Sequence, residues 1–276
     1  MSEESHIATV HQISDEDQVL IYNAKNNLEK VNPVIRKLNQ LGSTIETGFD
    51  KLSPAKRKKL DDLAHKTLVG MIKANLLTLE SSVRKRSSDY VYKAAVTSSG
   101  FIGGFFGLAG FATDLLISTK LMMRTILDIA RSEGEDITKI DTHLVCLEVF
   151  ALGGPSTEDD AADTSYYASR LALSSALKGA SAFVAKNGPI GIDQFLVLSG
   201  NPIMKFLGVI AARFGIQVTE KFMAQAVPVV GAIGGGSINF IFIDHFQKIA
   251  KAHFTIRRLE REYGEHAVRS FYNTAV

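Results

Sequence analysis

Apolar residues recur at intervals of three and four along most of this chain, a pattern typical of amphipathic helices. From Asp17 to about Leu41 the period is helical, although Pro33 predicts a break within the segment. Ser53-Pro54 predicts a helix start, with serine as the N-cap and proline at the first helical position. The helix that follows carries apolar residues on one face from Leu60 to Leu79, and it is the clearest amphipathic helix in the chain.

Further helices are predicted downstream, and their ends are marked by glycine or proline. Gly134 and Gly264 are typical residues for helix C-termini. The acidic run Ser156 to Asp163 lacks the ligand spacing of a calcium loop and is interpreted as a helix start. Strand patterns are nearly absent, so the predicted fold class is all-α. The predicted segments are 113–132, 140–152, 166–185, two short helices within 196–214 divided at Gly200-Asn-Pro202, and 239–263.

Two glycine-rich apolar stretches stand out, Gly100 to Gly110 and Val227 to Ser237. Glycines spaced by three and four residues, among them Gly103 and Gly107, lie on one face of a helix and permit close approach of another backbone. The sequence therefore predicts a multi-helix bundle in which these two helical segments pack centrally, on each other or on the same ligand.

Length and composition are compatible with one large core, since 46% of the 276 residues are apolar. We predict an N-terminal tail and helical extension over 1–52 and a helical domain over 53–276. The net charge of +2 is too small for a nucleic-acid-binding surface. The single Cys146 and the acidic, polar N-terminus predict a reducing compartment without a secretory signal, so we expect a cytoplasmic protein.

Membrane contact is a separate question. Residues 222–243 carry no formal charge but include Pro228 and several glycines, and Asp114 and Lys120 interrupt the apolar stretch 97–123. A buried or membrane-touching hairpin is therefore expected in preference to a span. Between Lys51 and Lys93 there are eleven basic and four acidic residues. These bases indicate either a solvated helix face or attraction to an acidic lipid surface.

The phrases Leu108 to Glu135, Cys146 to Gly154, Asp244 to Phe254 and Arg257 to Gly264 resemble the bacterial EcsC family, together with Val227-Pro-Val-Val-Gly-Ala and Asn239. The resemblance extends from about Lys56 to the C-terminus. It implies a mainly helical bacterial protein from a family associated by name with the gene neighbourhood of an ABC exporter. It implies no established activity or catalytic set.

The sequence lacks the motifs that identify several classes of enzyme and binding protein. There is no P-loop, no His-Glu-x-x-His and no Gly-x-Ser-x-Gly, so nucleotide binding, metallopeptidase and esterase activities are not indicated. His245 and His253 are too far apart on a helix, at about 12 Å, to bind one ion together. His253 is interpreted as a core histidine and Cys146 as a buried, inert thiol. No cofactor and no metal site is predicted.

Charged and polar residues embedded in apolar helices are the remaining candidates: Asp114, Lys120, Arg124, Asp128, Glu148, Arg170, Asn239 and Asp244. Arg124 and Asp128 are four apart, and Asp114 is expected on much the same side of the helix. These residues form either an internal ion-pair network or the polar end of an apolar cavity. In the second case Arg124 holds a phosphate or carboxylate head group, and the predicted ligand-binding set is Arg124, Asp128, Phe105, Gly103, Gly107 and Asn239.

Three functions follow as hypotheses. The first is a non-enzymatic, lipid-binding or membrane-associated protein, peripheral at the inner membrane, with a lipid or membrane-protein partner and a role in transport or envelope function. The second is a lipid or peptide hydrolase using Asp114, Glu148, Asp244 and His245. The third is a soluble helical scaffold. For the first hypothesis, the predicted membrane contacts are Phe101, Phe105, Phe106, Phe111, Arg84, Lys85 and Arg86.

Overall fold

The computed structural model describes residues 12–29, 52–76, 107–152, 166–187, 200–226 and 235–275. Within these ranges the chain forms helices and no strand, which confirms the predicted all-α class. Residues 100–106 and 227–234 of the glycine-rich stretches lie outside the described ranges. The helices are α1 (Asp15–Glu29), α2 (Pro54–Leu76), α3 (Gly107–Ser132), α4 (Ile140–Leu152), α5 (Tyr166–Asn187), α6 (Pro202–Ala226), α7 (Gly235–Tyr263) and α8 (Glu265–Thr274).

The local signals at the helix ends operate as predicted. Helix α2 begins at Pro54, and the Ser53 carbonyl accepts hydrogen bonds from the backbone N–H groups of the first turn. Helix α6 begins at Pro202, where the Asn201 side chain accepts a hydrogen bond from the Met204 N–H at 2.9 Å. It continues to Ala226, so the predicted short helix ending at residue 214 is wrong. Helices α3 and α7 stop just before Gly134 and Gly264, which have φ values of 84° and 87°.

Helices α3 and α7 run parallel and are joined at two levels. Near their first turns, Asn239 of α7 hydrogen-bonds Asp114 of α3. At their far ends, carboxylates after α3 bond to arginines of α7, an arrangement that we call the arginine clasp: Glu133, Glu135, Arg257, Arg258 and Arg261. The two levels are separated by 18 residues of α7, or about 27 Å of helix. We call the end where α3 begins at Gly107 and α7 begins at Gly235 the glycine end.

The other helices enclose this pair. Helix α6 runs antiparallel to α7, since Phe214 contacts Phe242 and Phe246 whereas the later residue Lys221 reaches the glycine end. Every residue of α4 from 142 to 152 is buried. Helix α2 packs on α6, and α1 packs on α7. Because α1 contributes buried residues to the same core, it belongs to the bundle; the division at residues 52 and 53 remains a prediction.

Within the described ranges, one stretch, Pro202–Phe222 of α6, is long and apolar enough to cross a membrane by length and composition alone. About half of its most apolar window, 56%, is buried in the bundle. It packs against α2, α4 and α5 and contributes the buried side chains of Phe206 and Phe214. A core helix meets the same length and composition criteria, so these two properties carry no argument for a span.

Replacing Gly134 by alanine is expected to lower the free energy of unfolding by about 1–2 kcal/mol, because its φ of +84° is unfavourable for a residue with a Cβ. The added Cβ would also lie 3.4 Å from the Arg261 guanidinium in the arginine clasp. Gly208→Ala is the matched control: Gly208 is helical with nothing within 4 Å of a Cβ, so this change is expected to be neutral or stabilising. Urea unfolding monitored by circular dichroism measures the free energy of unfolding of both variants. Equal effects would contradict the role assigned to the positive φ of Gly134.

Candidate functional site

A fully buried ion pair lies at the glycine end, between α3 and α6. The Lys221 Nζ is 2.9 Å from the Asp114 Oδ2, and both side chains are 0% exposed. Lys221 also donates a hydrogen bond to the Ser118 Oγ at 2.9 Å, and the Asn239 amide donates to the Asp114 Oδ1 at 2.6 Å. Three helices therefore meet at one charged pair, which we call the buried pair.

Aromatic rings surround the ammonium group of the buried pair. The Nζ of Lys221 lies 5.0 Å from the ring centroid of Phe242 and 6.0 Å from that of Phe111. Burial lowers the pKa of Lys221, and the adjacent Asp114 carboxylate counteracts this effect. The site thus holds a charge in an apolar setting through one carboxylate, one hydroxyl and two ring faces.

The predicted membrane contact of Phe111 is wrong. It was expected to contact a membrane, but it is buried and packs edge-on against Phe222, with ring centroids 5.1 Å apart. An aromatic residue in an apolar helix has the same sequence signature whether it faces lipid or the core. The other predicted membrane contacts, Phe101, Phe105, Phe106 and Arg84 to Arg86, lie outside the described residues, as does Gly103; Gly107 is the first residue of α3.

Three large apolar side chains are exposed around the buried pair. Leu116 and Ile117 of α3 are 49% and 43% exposed, and Phe240 of α7 is 43% exposed. Successive residues of a helix turn by about 100°. Because α3 and α7 are parallel and meet at Asp114 and Asn239, this rotation places Phe240 on the same side of the helix pair as Ile117. We call Leu116, Ile117 and Phe240 the apolar patch.

Basic residues lie next to the apolar patch. Lys120 and Arg124 are exposed on the same face of α3 as Leu116 and Ile117. Lys66 of α2 is also exposed and lies one turn before Gly70, where a Cβ would be 4.0 Å from the Leu116 Cδ1. We call Lys66, Lys120 and Arg124 the basic patch.

The predicted grouping of Arg124 with Asp114 and Asp128 is wrong. The helix turns by about 1000° between Asp114 and Arg124, which is about 80° short of three full turns. The two side chains therefore point in different directions: Arg124 is exposed, whereas Asp114 faces the core. Asp128 forms an ion pair with Arg131, three residues later. Arg124 and Asp128 therefore do not form the polar end of an interior cavity. The Arg124 side chain is exposed to solvent instead.

The four candidate hydrolase residues do not converge on one site. Asp114 belongs to the buried pair, whereas Glu148 lies near Arg170 and Arg257, beside the arginine clasp. Asp244 forms an ion pair with Lys248 at 2.8 Å, and the His245 ring packs on Phe246. Among the residues that the structure describes, no group of three or more histidine, cysteine, aspartate or glutamate side chains is arranged to hold a metal ion.

A second polar cluster joins α5 to α7. The Tyr166 hydroxyl is 2.8 Å from the His253 Nδ1, and Arg170 forms a 2.6 Å ion pair with Glu260. Burial lowers the pKa of His253 well below its ordinary value, with Arg170 and Arg257 acting in the same direction. His253 is thus a buried core histidine, as predicted. Cys146 is also buried, and burial raises the pKa of its thiol, in agreement with an inert residue.

The sequence profile of the EcsC protein family matches residues 24–259, which include all of α3, α7 as far as residue 259, and both residues of the buried pair. The chain belongs to the EcsC protein family. This result confirms the resemblance noted in the sequence and extends it upstream into α1. No match is found among curated proteins or among solved structures.

Removing one residue of the buried pair is expected to destabilise this EcsC-family protein strongly. Asp114→Asn or Lys221→Met alone should each lower the free energy of unfolding by about 3–5 kcal/mol, because each leaves one uncompensated charge in the core. The double variant should cost less than the sum by about 2 kcal/mol or more, since it removes both charges. Urea unfolding of the four proteins measures this coupling, and strictly additive costs would contradict it.

Glu148 provides a test of pH dependence. It is 3% exposed, and burial raises its pKa to about 7 although Arg170 and Arg257 oppose the shift. A raised pKa means that its stabilising contribution is complete below about pH 4.5 and is lost as the pH rises through 7. Relative to Glu148→Gln, the wild type should therefore lose up to about 3 kcal/mol of unfolding free energy between pH 4.5 and 8. Parallel stability curves for the two proteins would contradict this assignment.

Proposed function

We propose that this EcsC-family protein is a non-enzymatic, peripheral membrane protein of the inner face of the bacterial membrane, which it contacts through the glycine end. In this proposal the apolar patch enters the interfacial region of the bilayer. The observation that carries the proposal is the exposure of Leu116, Ile117 and Phe240 on one side of the bundle, where α3 and α7 begin.

The energetics of such a contact are favourable but modest. Burial of a large apolar side chain contributes about 1.5–3 kcal/mol, and each residue of the apolar patch exposes a little under half of its surface. The three together would contribute about 3 kcal/mol. This magnitude fits a reversible, peripheral association and does not require a membrane-spanning segment.

The hydrolase alternative receives less support from the geometry. Asp114 lies at the glycine end and Glu148 beside the arginine clasp, two levels that are about 27 Å apart along α7, and Asp244 is paired with Lys248 between them. General acid–base catalysis requires two groups within hydrogen-bond reach of the same substrate. A soluble scaffold is the remaining alternative, and it predicts no binding to vesicles of any composition.

Vesicle flotation of Leu116→Gln/Ile117→Gln tests the proposal. The double replacement should reduce partition onto vesicles by roughly thirtyfold, because it removes about 2 kcal/mol of apolar burial. Its thermal unfolding midpoint should remain near that of the wild type, since both side chains are already exposed. Wild-type binding that depends on the apolar patch should persist at high salt, where interactions between exposed charges are screened.

The matched control is Leu171→Gln. Leu171 is 68% exposed on α5, next to Arg170 and Glu260 and therefore remote from the glycine end. This variant should float like the wild type. Equal losses in both variants would show that any exposed leucine suffices, and failure of the wild type to float on any vesicle would favour the scaffold.

A further inference from the structure

The basic patch carries positive charge that no ion pair within the described residues neutralises. Lys139, Lys248 and Arg131 each form an ion pair with an aspartate three or four residues away. Within the described ranges, Lys66, Lys120 and Arg124 are exposed, and none of them forms an ion pair. Their charges are available to an external anion.

The outer face of α3 also lacks compensating negative charge. This helix contains two acidic residues, and both are engaged elsewhere: Asp114 in the buried pair and Asp128 with Arg131. The exposed face therefore presents apolar side chains followed by cations only. We propose that the basic patch makes the membrane contact selective for anionic phospholipids, with Lys120 and Arg124 binding their phosphate groups; this inference rests on the proposed function.

The spacing along the helices agrees with the depth of a bilayer interface. Lys120 follows the apolar residues by about 5 Å and Arg124 by about 11 Å, and Lys66 lies about 6 Å from the level of Gly70. Apolar faces of interfacial helices enter about 5–10 Å into the boundary between head groups and acyl chains. Flexible lysine and arginine side chains can then reach back to the phosphates.

The choice of an anionic partner follows from the charges. A zwitterionic head group offers a cation together with its phosphate, so a face with cations alone gains little from it. The planar guanidinium of Arg124 suits bidentate contact with phosphate oxygens. Lys56 to Lys59 are exposed as well, but they precede Gly70 by about 17–21 Å of helix and would not reach the same plane.

Partition of the full-length protein onto two kinds of vesicle tests the inference: phosphatidylcholine alone, and phosphatidylcholine mixed with phosphatidylglycerol. Lys120→Gln/Arg124→Gln should lower partition onto the anionic vesicles by roughly thirtyfold at low salt, from about 1 kcal/mol for each cation. Its partition onto the neutral vesicles should match that of the wild type.

The control variant is Lys178→Gln/Lys205→Gln, which removes the same net charge. Both lysines are exposed, and they lie on α5 and at the start of α6, where Gly179 meets Pro202 away from the glycine end. The control should stay within about twofold of the wild type. An equal loss in the control, or equal binding of the wild type to both vesicles, would overturn the inference and leave the proposed function intact. Absence of wild-type binding to either vesicle would overturn both.

Discussion

The Asp114–Lys221 pair constrains the glycine end more than any apolar contact there. Moving two charges out of water costs several kcal/mol for each, and only close geometry with additional hydrogen bonds offsets that cost. The bundle supplies this geometry through Ser118 on α3 and Asn239 on α7. Because the participants come from three helices, rotation of any one helix by a single residue would leave a charge or an amide unpaired in the core. The pair therefore fixes the rotational setting of α3, α6 and α7 together, a specificity that leucine contacts would provide only weakly.

The arginine clasp gives the same helices a second point of attachment. Arg257 and Arg261 both bond Glu135, while Arg258 bonds Glu133, so the end of α3 is held at a fixed position against α7. A helix attached at one level can still rotate or splay at the other. Two attachments about 27 Å apart remove that freedom. The exposed face of α3 is consequently determined by what its inner face must satisfy at both ends, and the apolar and basic patches occupy the side that remains.

The parts of this architecture that sequence predicts are the local ones. Ser53-Pro54, Gly134 and Gly264 locate helix ends because capping and backbone conformation involve only near neighbours. Lys221 was not recognised as a site residue, since one lysine in an apolar helix has the same pattern whether it faces solvent or a carboxylate 107 residues earlier. Arg124 was misplaced because ten residues are not a whole number of turns. Helical periodicity thus groups the residues that share one face of a helix, but it does not show whether a charge on that face meets solvent or a partner in another helix.

The buried pair and the basic patch are linked through charge. Asp114 lies only three residues before Ile117, so a setting of α3 that exposed its carboxylate would place a negative charge beside the apolar patch and oppose any phosphate that Lys120 or Arg124 attracts. Pairing with Lys221 removes this carboxylate from the surface and neutralises it in the core. Arg131 similarly engages Asp128 at the other end of the helix. The internal packing of three helices therefore leaves the outer face of α3 with positive charge alone, and the electrostatic character of the surface follows from the ion pair beneath it.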